Sequence, residues 1–487
     1  MPTIKQYQNY INGEFVPLRA DCPLIQVINP ATEEIISEVP DGPESDIDSA
    51  ISAAKKAQPA WGALPPIQRA HYLRKISARI REKTEFLARI ISEEQGKTLG
   101  LSRVEVSFTA DYIDYMSEWA RRMEGEILVS DRLNENIFLF RKPIGVVGGI
   151  LPWNFPFFLI ARKMAPALVA GNAIVIKPSE ETPNNAFEFA RLVAETDLPP
   201  GVFNIVCGRG ASVGRHLSAH RDLSMISFTG GVETGSQIMA AAARNLTKVN
   251  LELGGKAPAI IMADANLDMA VQAVKESRLI NSGQVCNCVE RVYVDRRIAP
   301  EFIDRLSRAM SSARFGDPLQ DETIDYGPLI NQAGLNKVEG LVSRAVQAGA
   351  TVTTGGNRVD RGTGFYFEPT VLADCRQEME IVTREIFGPV IPVLTFEDFD
   401  EAIALANDSE YGLTSSIYTR DLNVAMRACR EIQFGETYIN REHFEAMQGF
   451  HSGWRKSGIG GADGKHGLME YTQTHVVYLQ SDSGAIS

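Results

Sequence analysis

The fold is decided by IGVVGGI (144–150) and by the four apolar stretches that follow it, NAIVIK (172–177), VFNIVC (202–207), SMISFTG (224–230) and KVNLEL (248–253). Each has the length of a buried strand, and helical patterns such as 158–170 and 184–195 lie between them. This alternation predicts βαβ units and a doubly wound parallel sheet. Ligands of such sheets bind beyond the carboxyl ends of the strands.

A second α/β series begins after a break at GGK (254–256). Its predicted strands are APAIIM (257–262), RVYVD (291–295), PVIPVLTF (389–396) and SSIYT (415–419), and its predicted helices are 267–280, 299–312 and 400–407. Residues 122–143 and 471–480 alternate apolar and polar residues outside both series. We expect these two segments to pair with each other or to extend the sheet of a neighbouring subunit.

The composition is that of a globular chain with several domains. The 487 residues are 44% hydrophobic and 23% charged, which is close to the average for folded proteins. The formal charge of −12 opposes nonspecific binding to nucleic acid or to anionic membranes. No apolar run reaches the roughly 18 residues of a membrane span, and the first residues lack a signal pattern. We therefore expect a cytoplasmic protein without membrane contact.

Six cysteines are scattered along the chain without the paired spacing of a metal site or a disulfide framework, so we expect reduced thiols and no bound metal. One of them, Cys286 in NSGQVCNC (281–288), follows a glycine-containing turn after a helix. A thiol on a loop is a candidate for covalent catalysis. Taken alone, the segment fits a small buried side chain better than a nucleophile.

Two residues near predicted strand ends are candidates for catalysis. Asn154 in LPWNFPFF (151–158) lies between two prolines that stiffen the turn, so its amide is a candidate donor to an oxyanion. The alternative is an asparagine that closes the turn through its own backbone. Glu252 in LELGGK (251–256) is a candidate general base, or else one partner of a surface ion pair.

KPSE (177–180) at the end of the second strand is suited to a dinucleotide. An acidic residue at this point contacts the ribose hydroxyls of NAD and repels the 2′-phosphate of NADP. Glu180 fits that place, and Lys177 is a second candidate contact. The segment therefore favours NAD over NADP.

Two glycine-rich turns and one later segment are further candidates for cofactor contact. GRGASVG (208–214) and TGGVETG (229–235) join strands to helices as phosphate-binding turns do, although ordinary connectors have the same composition. EIFGPV (385–390) places Glu385 and Phe387 before another strand, as a ribose acceptor and an apolar wall.

Taken together in this order and at these separations, PWNFP, KPSE, LELGGK, GQVC and EIFGPV resemble the NAD(P)-dependent aldehyde dehydrogenase superfamily, and the resemblance covers nearly the whole chain. It implies an α/β fold with a Rossmann-like NAD-binding domain, a second α/β catalytic domain and a small β oligomerisation element. Mapped onto this chain, these are residues 1–121 with 144–254, residues 255–454, and residues 122–143 with 468–487.

The resemblance implies a role for each candidate residue. Cys286 would be the nucleophile, Asn154 the oxyanion donor, and Glu252 the general base that releases the product from a cysteine thioester. A relative that passes the acyl group to coenzyme A would not need Glu252, so the hydrolytic outcome is favoured. The implied cofactor contacts are Trp153, Lys177, Glu180, Gly210, Phe228, Thr229, Gly230, Gly231, Gly235, Glu385 and Phe387. Gly231 departs from the usual serine, which removes a hydroxyl near the expected cofactor diphosphate.

A closer likeness, to bacterial lactaldehyde dehydrogenases, rests on residues 104–122, 151–168 and 435–467. It implies oxidation of a short hydroxylated aldehyde, lactaldehyde or glycolaldehyde, to the acid with reduction of NAD. Arg162, Glu445 and His451 fall in segments that line the substrate tunnel of the superfamily. Polar groups in a tunnel are costly unless a ligand or water pairs with them, so they favour a small hydroxylated or anionic aldehyde.

Three alternatives stay open at this stage. In the first, Arg162 pairs internally with Glu445, and His451 is a residue of the tunnel wall whose hydrogen bonds are made within the protein. The substrate is an anionic semialdehyde such as succinate semialdehyde. The chain is a non-catalytic scaffold with a dehydrogenase-like fold, although a scaffold has no need of a nucleophile, a base and an oxyanion donor together. The resemblance also implies a homo-oligomer, either a dimer or a tetramer.

Overall fold

The computed structural model describes residues 4–481, so the outermost residues of the predicted domains, 1–3 and 482–487, lie outside the described residues. The strands before residue 144 are β1 (Lys5–Gln6), β2 (Tyr10–Ile11), β3 (Glu14–Phe15), β4 (Leu24–Ile28), β5 (Ile35–Pro40), β6 (Glu126–Val129) and β7 (Glu135–Pro143). The helices in this part are α1 (Glu44–Ala63), α2 (Pro66–Glu82), α3 (Thr84–Gln95) and α4 (Leu99–Glu118). Among residues 4–481, no helix is both long and apolar enough to span a bilayer.

The first large sheet contains the five strands predicted between residues 144 and 253. These are β8 (Val146–Ile150), β9 (Ala173–Lys177), β10 (Phe203–Ile205), β11 (Met225–Gly230) and β12 (Lys248–Leu253), parallel and in the order β12-β11-β8-β9-β10, with β2 and β3 on one edge. They are joined by α5 (Pro156–Ala170), α6 (Asn184–Ala194), α7 (Arg215–Ala219) and α8 (Val232–Ala243). Every residue of β8 and β9 is buried, as expected for strands covered on both faces.

The second series forms a separate seven-stranded sheet and a two-stranded hairpin outside it. Its strands are β13 (Ala257–Ile261), β14 (Val289–Asp295), β15 (Thr351–Thr354), β16 (Arg358–Val359), β17 (Tyr366–Phe367), β18 (Thr370–Ala373), β19 (Val390–Phe396), β20 (Thr414–Tyr418) and β21 (Glu436–Ile439). The order is β15-β18-β19-β14-β13-β20-β21, and β16 pairs only with β17. The helices are α9 (Leu267–Leu279), α10 (Ala299–Ser311), α11 (Gln332–Gln347), α12 (Glu380–Thr383), α13 (Phe399–Asn407) and α14 (Leu422–Glu431).

The last part of the chain returns to the first sheet and then leaves it. β22 (Gly458–Ile459) pairs antiparallel with β12, and α15 (Gly464–Glu470) leads into β23 (Thr472–Gln480). β23 pairs along its whole length with β7, from Thr472 opposite Pro143 to Gln480 opposite Glu135, while β6 covers the other edge of β7. The two peripheral segments therefore pair with each other, which was one of the two predicted outcomes.

Candidate active site

Cys286 is presented by a sharp turn that follows α9. Asn281, Ser282 and Gly283 have φ values of 48°, 59° and 76°, so three consecutive residues adopt left-handed backbone. For Asn281 and Ser282 this conformation is strained. The turn is held by the hydroxyl of Ser282, which donates to the carbonyl of Gly327 over 2.8 Å. At Gly283 a side chain would stand 2.3 Å from the carbonyl oxygen of Gly388, so only glycine fits.

Two cavities share part of their lining, and Cys286 belongs to both. Cys286, Asn154, Thr229 and Glu252 line both of them. The first cavity is otherwise mostly apolar and contains Phe108, Phe158, Leu159, Val285 and Phe444, with Arg162, Glu445 and His451 as polar groups. The second is bordered by Trp153, Gly230, Gly231, Gly254, Lys337, Glu385 and Phe387. A molecule in either cavity would therefore lie against the same four residues, Cys286 among them.

Asn154 is fixed by its backbone as well as by its side chain. Its Nδ2 donates to the carbonyl of Gln284 over 3.0 Å, which leaves the second hydrogen of the amide free for a ligand. Its own carbonyl accepts hydrogen bonds from Lys97 Nζ at 2.7 Å and from Asn281 Nδ2 at 3.1 Å. Lys97 is completely buried and pairs with Glu105 at 2.5 Å. These contacts tie the turn of Asn154 to the turn of Cys286.

Glu252 at the end of β12 is a buried carboxylate rather than a surface ion-pair partner. Thr229 Oγ1 donates to its Oε2 over 3.2 Å, and Lys163 Nζ donates to Thr229 Oγ1 over 2.9 Å. Burial raises the pKa of Glu252, but Arg162 and Lys163 outweigh burial and hold that pKa below its ordinary value. Burial lowers the pKa of Lys163 to about 8, against the opposing effect of Glu252. Glu252 is therefore ionised at neutral pH.

Arg162 is buried in α5 and is bound mainly by a residue that the sequence analysis did not select. Its Nε donates to Asp463 Oδ1 over 3.0 Å, and its Nη2 donates to Asp463 Oδ2. Glu445 Oε1 lies 3.6 Å from Nη1, so the internal pair with Glu445 exists but is the weaker contact. Burial alone would lower the pKa of Arg162, and Asp463 holds it well above the ordinary value. Glu445 also accepts from the side chain of Asn287.

Two aromatic residues that border the second cavity contact each other. The rings of Trp153 and Phe387 meet edge to face with centroids 5.5 Å apart. Glu385 Oε1 accepts a hydrogen bond from the backbone N–H of Gly255 at 2.9 Å. Lys337 on α11 lies in the same cleft, and no motif in the sequence pointed to it.

Lys177, Glu180 and Gly210 form a separate cluster. Lys177 Nζ donates to Glu180 Oε2 over 3.0 Å, and the N–H of Gly210 donates to Glu180 Oε1 over 3.0 Å. Burial raises the pKa of Glu180, but these two partners bring it below its ordinary value. The carboxylate therefore carries its charge at neutral pH.

Two glycines of the turn after β11 have different surroundings: Gly231 faces open space, and Gly235 is closely packed. A Cβ added at Gly231 would meet no atom within 4 Å, whereas one added at Gly235 would stand 2.6 Å from Leu253 Cδ2. Gly235 thus allows α8 to pack closely on β12 and does not line the cleft. Phe228 packs in the core directly against Gly230 and is not itself among the residues that border the cleft.

Comparison with known proteins identifies the family of the chain. A model of the aldehyde dehydrogenase family matches residues 18–477. The chain belongs to the aldehyde dehydrogenase family. It is therefore an aldehyde-oxidising enzyme of the NAD(P)-dependent type, and the predicted superfamily and α/β fold are confirmed.

Individual relatives match along nearly the entire chain. Lactaldehyde dehydrogenase of Escherichia coli K12 is 62% identical, over 98% of this chain and 99% of its own length. The 3,6-anhydro-alpha-L-galactose dehydrogenase of a Vibrio species is 44% identical, over 98% and 100%. The crystal structure of the E. coli lactaldehyde dehydrogenase superposes with a TM-score of 0.97 over 98% of this chain and 100% of that one. A betaine aldehyde dehydrogenase from Staphylococcus aureus in complex with NAD⁺ gives 0.95 at 36% identity, over 98% and 96%.

Proposed function

We propose that this aldehyde dehydrogenase oxidises a short hydroxylated aldehyde, lactaldehyde or glycolaldehyde, to the carboxylic acid with NAD as the cofactor. The proposal rests on the two cavities that share Cys286 in their lining. The first of these cavities is apolar apart from a cluster of charged groups. Similarity to a lactaldehyde dehydrogenase along the whole chain supports the same substrate class.

The charges of the first cavity favour a hydroxyl group over a carboxylate on the substrate. Arg162 is already paired by Asp463 and Glu445. An anionic semialdehyde would therefore find no free guanidinium and would face the carboxylates of Glu252 and Glu445. A hydroxyl group donates to a carboxylate, so Glu445, with Arg162 beside it and His451 in the same cavity lining, suits the 2-hydroxyl of lactaldehyde.

The catalytic residues divide the reaction between them. The Cys286 sulfur attacks the aldehyde carbon, and the free N–H of the Asn154 amide donates to the oxyanion that forms. A bound NAD⁺ supplies the hydride acceptor. Glu252 then takes a proton from the water that attacks the thioester on Cys286, so the acid leaves and the sulfur is released.

The second cavity fits a nicotinamide dinucleotide. In the separate cluster, Lys177 ends β9 and Glu180 follows the strand, where ribose hydroxyls bind in dinucleotide folds, and the charge of Glu180 opposes a 2′-phosphate. The free backbone N–H groups at the start of α8 suit a diphosphate, and the open space at Gly231 admits it. The nicotinamide end is proposed to lie among Trp153, Thr229, Gly230, Glu385 and Phe387. Preference for NAD over NADP is part of the proposal.

We expect Gly231→Ser to bind NAD about two- to tenfold more tightly. The position has open space and extended backbone, with φ of −73°, so a serine fits without strain and adds a hydroxyl toward the diphosphate. One hydrogen bond of this kind contributes about 0.5–1.5 kcal/mol. Quenching of the intrinsic tryptophan fluorescence on titration with NAD measures the affinity, and Gly100→Ser, also in open space, is the control. Weaker binding would place the diphosphate elsewhere.

The proposed domains and assembly follow from the three sheets. The first sheet would be the core of the NAD-binding domain, the second that of the catalytic domain, and the sheet of β6, β7 and β23 the oligomerisation element. Large apolar side chains of this last sheet are exposed, such as Ile127 at 74%, Val129 at 98% and Tyr478 at 67%. Such a patch favours burial against another copy, so we propose a homodimer or tetramer. The six cysteines are all free thiols, which suits a cytoplasmic protein.

A panel of aldehydes tests the substrate. We expect the kcat/KM for lactaldehyde and glycolaldehyde to exceed that for propionaldehyde, which has no hydroxyl group, and that for succinate semialdehyde. Greater efficiency with the semialdehyde would transfer the proposal to that substrate class. Absence of NADH formation with every aldehyde, in folded enzyme that binds NAD, would reject it.

Glu445→Gln is expected to reduce the ratio of kcat/KM for lactaldehyde to kcat/KM for propionaldehyde. The kcat/KM for lactaldehyde should fall about five- to tenfold, because glutamine still accepts a hydrogen bond but carries no charge, and a bond to a charged group is stronger than a neutral one by about 1–1.5 kcal/mol. The kcat/KM for propionaldehyde should change little. Steady-state kinetics with both aldehydes measures the ratio. Glu442→Gln, on the same segment but exposed and paired with Arg441, is the matched control. Equal losses with both aldehydes would exclude Glu445 from hydroxyl recognition.

A further inference from the structure

Lys97 and Glu105 form a buried pair next to the turn that carries Asn154. Both side chains are completely buried, and Lys97 Nζ lies 2.5 Å from Glu105 Oε2. Lys97 stands two residues before α4, and Glu105 belongs to that helix. Burying two such groups costs free energy unless further hydrogen bonds satisfy both of them. Those further bonds all go to the segment 154–158.

Lys97 holds the carbonyl group of Asn154. Its Nζ donates to that oxygen over 2.7 Å, and Asn281 Nδ2 donates to the same oxygen over 3.1 Å. The amine also lies 3.7 Å from the ring centroid of Phe155. Burial lowers the pKa of Lys97, and Glu105 opposes that effect. An amine carries the two hydrogens that these bonds need in both of its protonation states, so the contacts do not depend on its charge.

Glu105 holds the other end of the same segment. Its Oε1 accepts from the backbone N–H groups of Phe157 and Phe158 at 2.9 and 3.1 Å. These groups lie in the first turn of α5, where an N–H has no partner within the helix. Pro156 at the start of the helix has no N–H to donate. The pair therefore fixes the backbone at both ends of the segment 154–158.

We propose that Lys97 and Glu105 are positioning residues for the oxyanion donor, the side-chain amide of Asn154. One hydrogen of that amide is bound to the carbonyl of Gln284, and the other must be in place before charge develops on the aldehyde oxygen. Without Lys97 the Asn154 carbonyl would keep only Asn281 as a donor, and the turn could relax. The proposal rests on the proposed function in that Asn154 is the donor.

The kcat/KM of Lys97→Met, of Asn154→Ala and of the double variant tests the proposal. Methionine is a long, flexible side chain without a hydrogen to donate. We expect Asn154→Ala to lower kcat/KM for the aldehyde about 10²–10³-fold, the scale of removing one oxyanion donor. Lys97→Met should lower it about 10–10²-fold, as a small misplacement of that donor does. The double variant should stay within about twofold of Asn154→Ala alone, because residues that act as a unit are not additive.

Glu105→Gln is the second variant, because Lys97→Met leaves a buried carboxylate without its partner and could prevent folding. Glutamine has one oxygen where the carboxylate has two, so it cannot accept from Lys97 and from the N–H groups of α5 together. We expect a smaller fall in kcat/KM, which should also disappear in the Asn154→Ala background. Both variants should bind NAD with native affinity, measured by quenching of the tryptophan fluorescence, because neither residue borders the second cavity.

Arg69→Met is the matched control. Arg69 is another buried cation that donates to backbone carbonyl groups, those of Val169 at 3.0 Å and Gly62 at 3.1 Å. It borders neither cavity. Any loss of kcat/KM in this variant should therefore multiply with the loss in Asn154→Ala, since the two sites share no partner. A merely structural role of Lys97 would give the same multiplication.

The outcomes separate this proposal from the proposed function. Turnover is measured with both lactaldehyde and propionaldehyde, so the comparison does not depend on the preferred substrate. Losses that multiply in the double variant, or native kcat/KM in Lys97→Met, would overturn the positioning role and leave Asn154 as the donor. A parallel loss of NAD affinity would also overturn it, as the sign of a general disturbance. Native kcat/KM in Asn154→Ala would reject the donor itself, and the positioning role with it.

Discussion

Cys286→Ser is expected to bind NAD normally and to lose NADH formation by a factor on the order of 10⁶, which is the scale of removing the nucleophile in another covalent enzyme. The serine hydroxyl is nearly isosteric, so the turn of residues 280–288 should be kept. Its proton is far harder to remove than that of a thiol, and no covalent intermediate then forms. Spectrophotometry with lactaldehyde measures the loss.

The control for this variant is Cys429→Ser, because Cys429 is exposed on α14 and far from either cavity lining. It should keep full turnover. Mass spectrometry of native enzyme quenched during turnover should find the acyl group on the peptide that contains Cys286. Retention of more than a tenth of the native turnover by Cys286→Ser would show that another group attacks the aldehyde.

The architecture of the first sheet could be predicted because its strands are buried on both faces and read as short apolar runs. β15, β18 and β21 were not predicted. Each has only four residues, and β15 is largely exposed, so neither length nor periodicity separates these strands from loops. They take their conformation from pairing with longer neighbours, and pairing between distant segments leaves little trace in a single sequence.

The candidate site also contains residues that could be predicted from the sequence and residues that could not. Cys286, Asn154 and Glu252 stand in recognisable motifs, and the structure brings all three to one place. The partners that hold the charged groups are far away in the chain, such as Asp463, which is 301 positions from Arg162. Glu436, whose Oε1 lies 2.6 Å from His451 Nδ1, was likewise missed, although it lies in the segment 435–467 that carried the closer likeness. Spacing along the chain predicts which residues are neighbours within one helix or strand, but it does not predict contacts between residues of distant segments.

Glu252→Gln is expected to stop turnover after the first chemical cycle. Addition of lactaldehyde should give a burst of NADH equal to the enzyme concentration, followed by a steady rate lower by about 10²–10⁴, the range for loss of a general base. Glutamine keeps the shape and can still accept from Thr229, so the burst should survive. It cannot take the proton of the attacking water, and the thioester on Cys286 should therefore accumulate. Rapid-mixing absorbance measures both phases.

Two observations make this variant decisive. Hydroxylamine needs no general base to cleave a thioester, so it should restore steady turnover in Glu252→Gln but add little to native enzyme or to the control Glu276→Gln on the exposed face of α9. The native steady rate should stay constant with falling pH until below the ordinary carboxyl range, because Arg162 and Lys163 hold the pKa of Glu252 down. Loss of the burst itself would instead mean that Glu252 acts before the thioester forms.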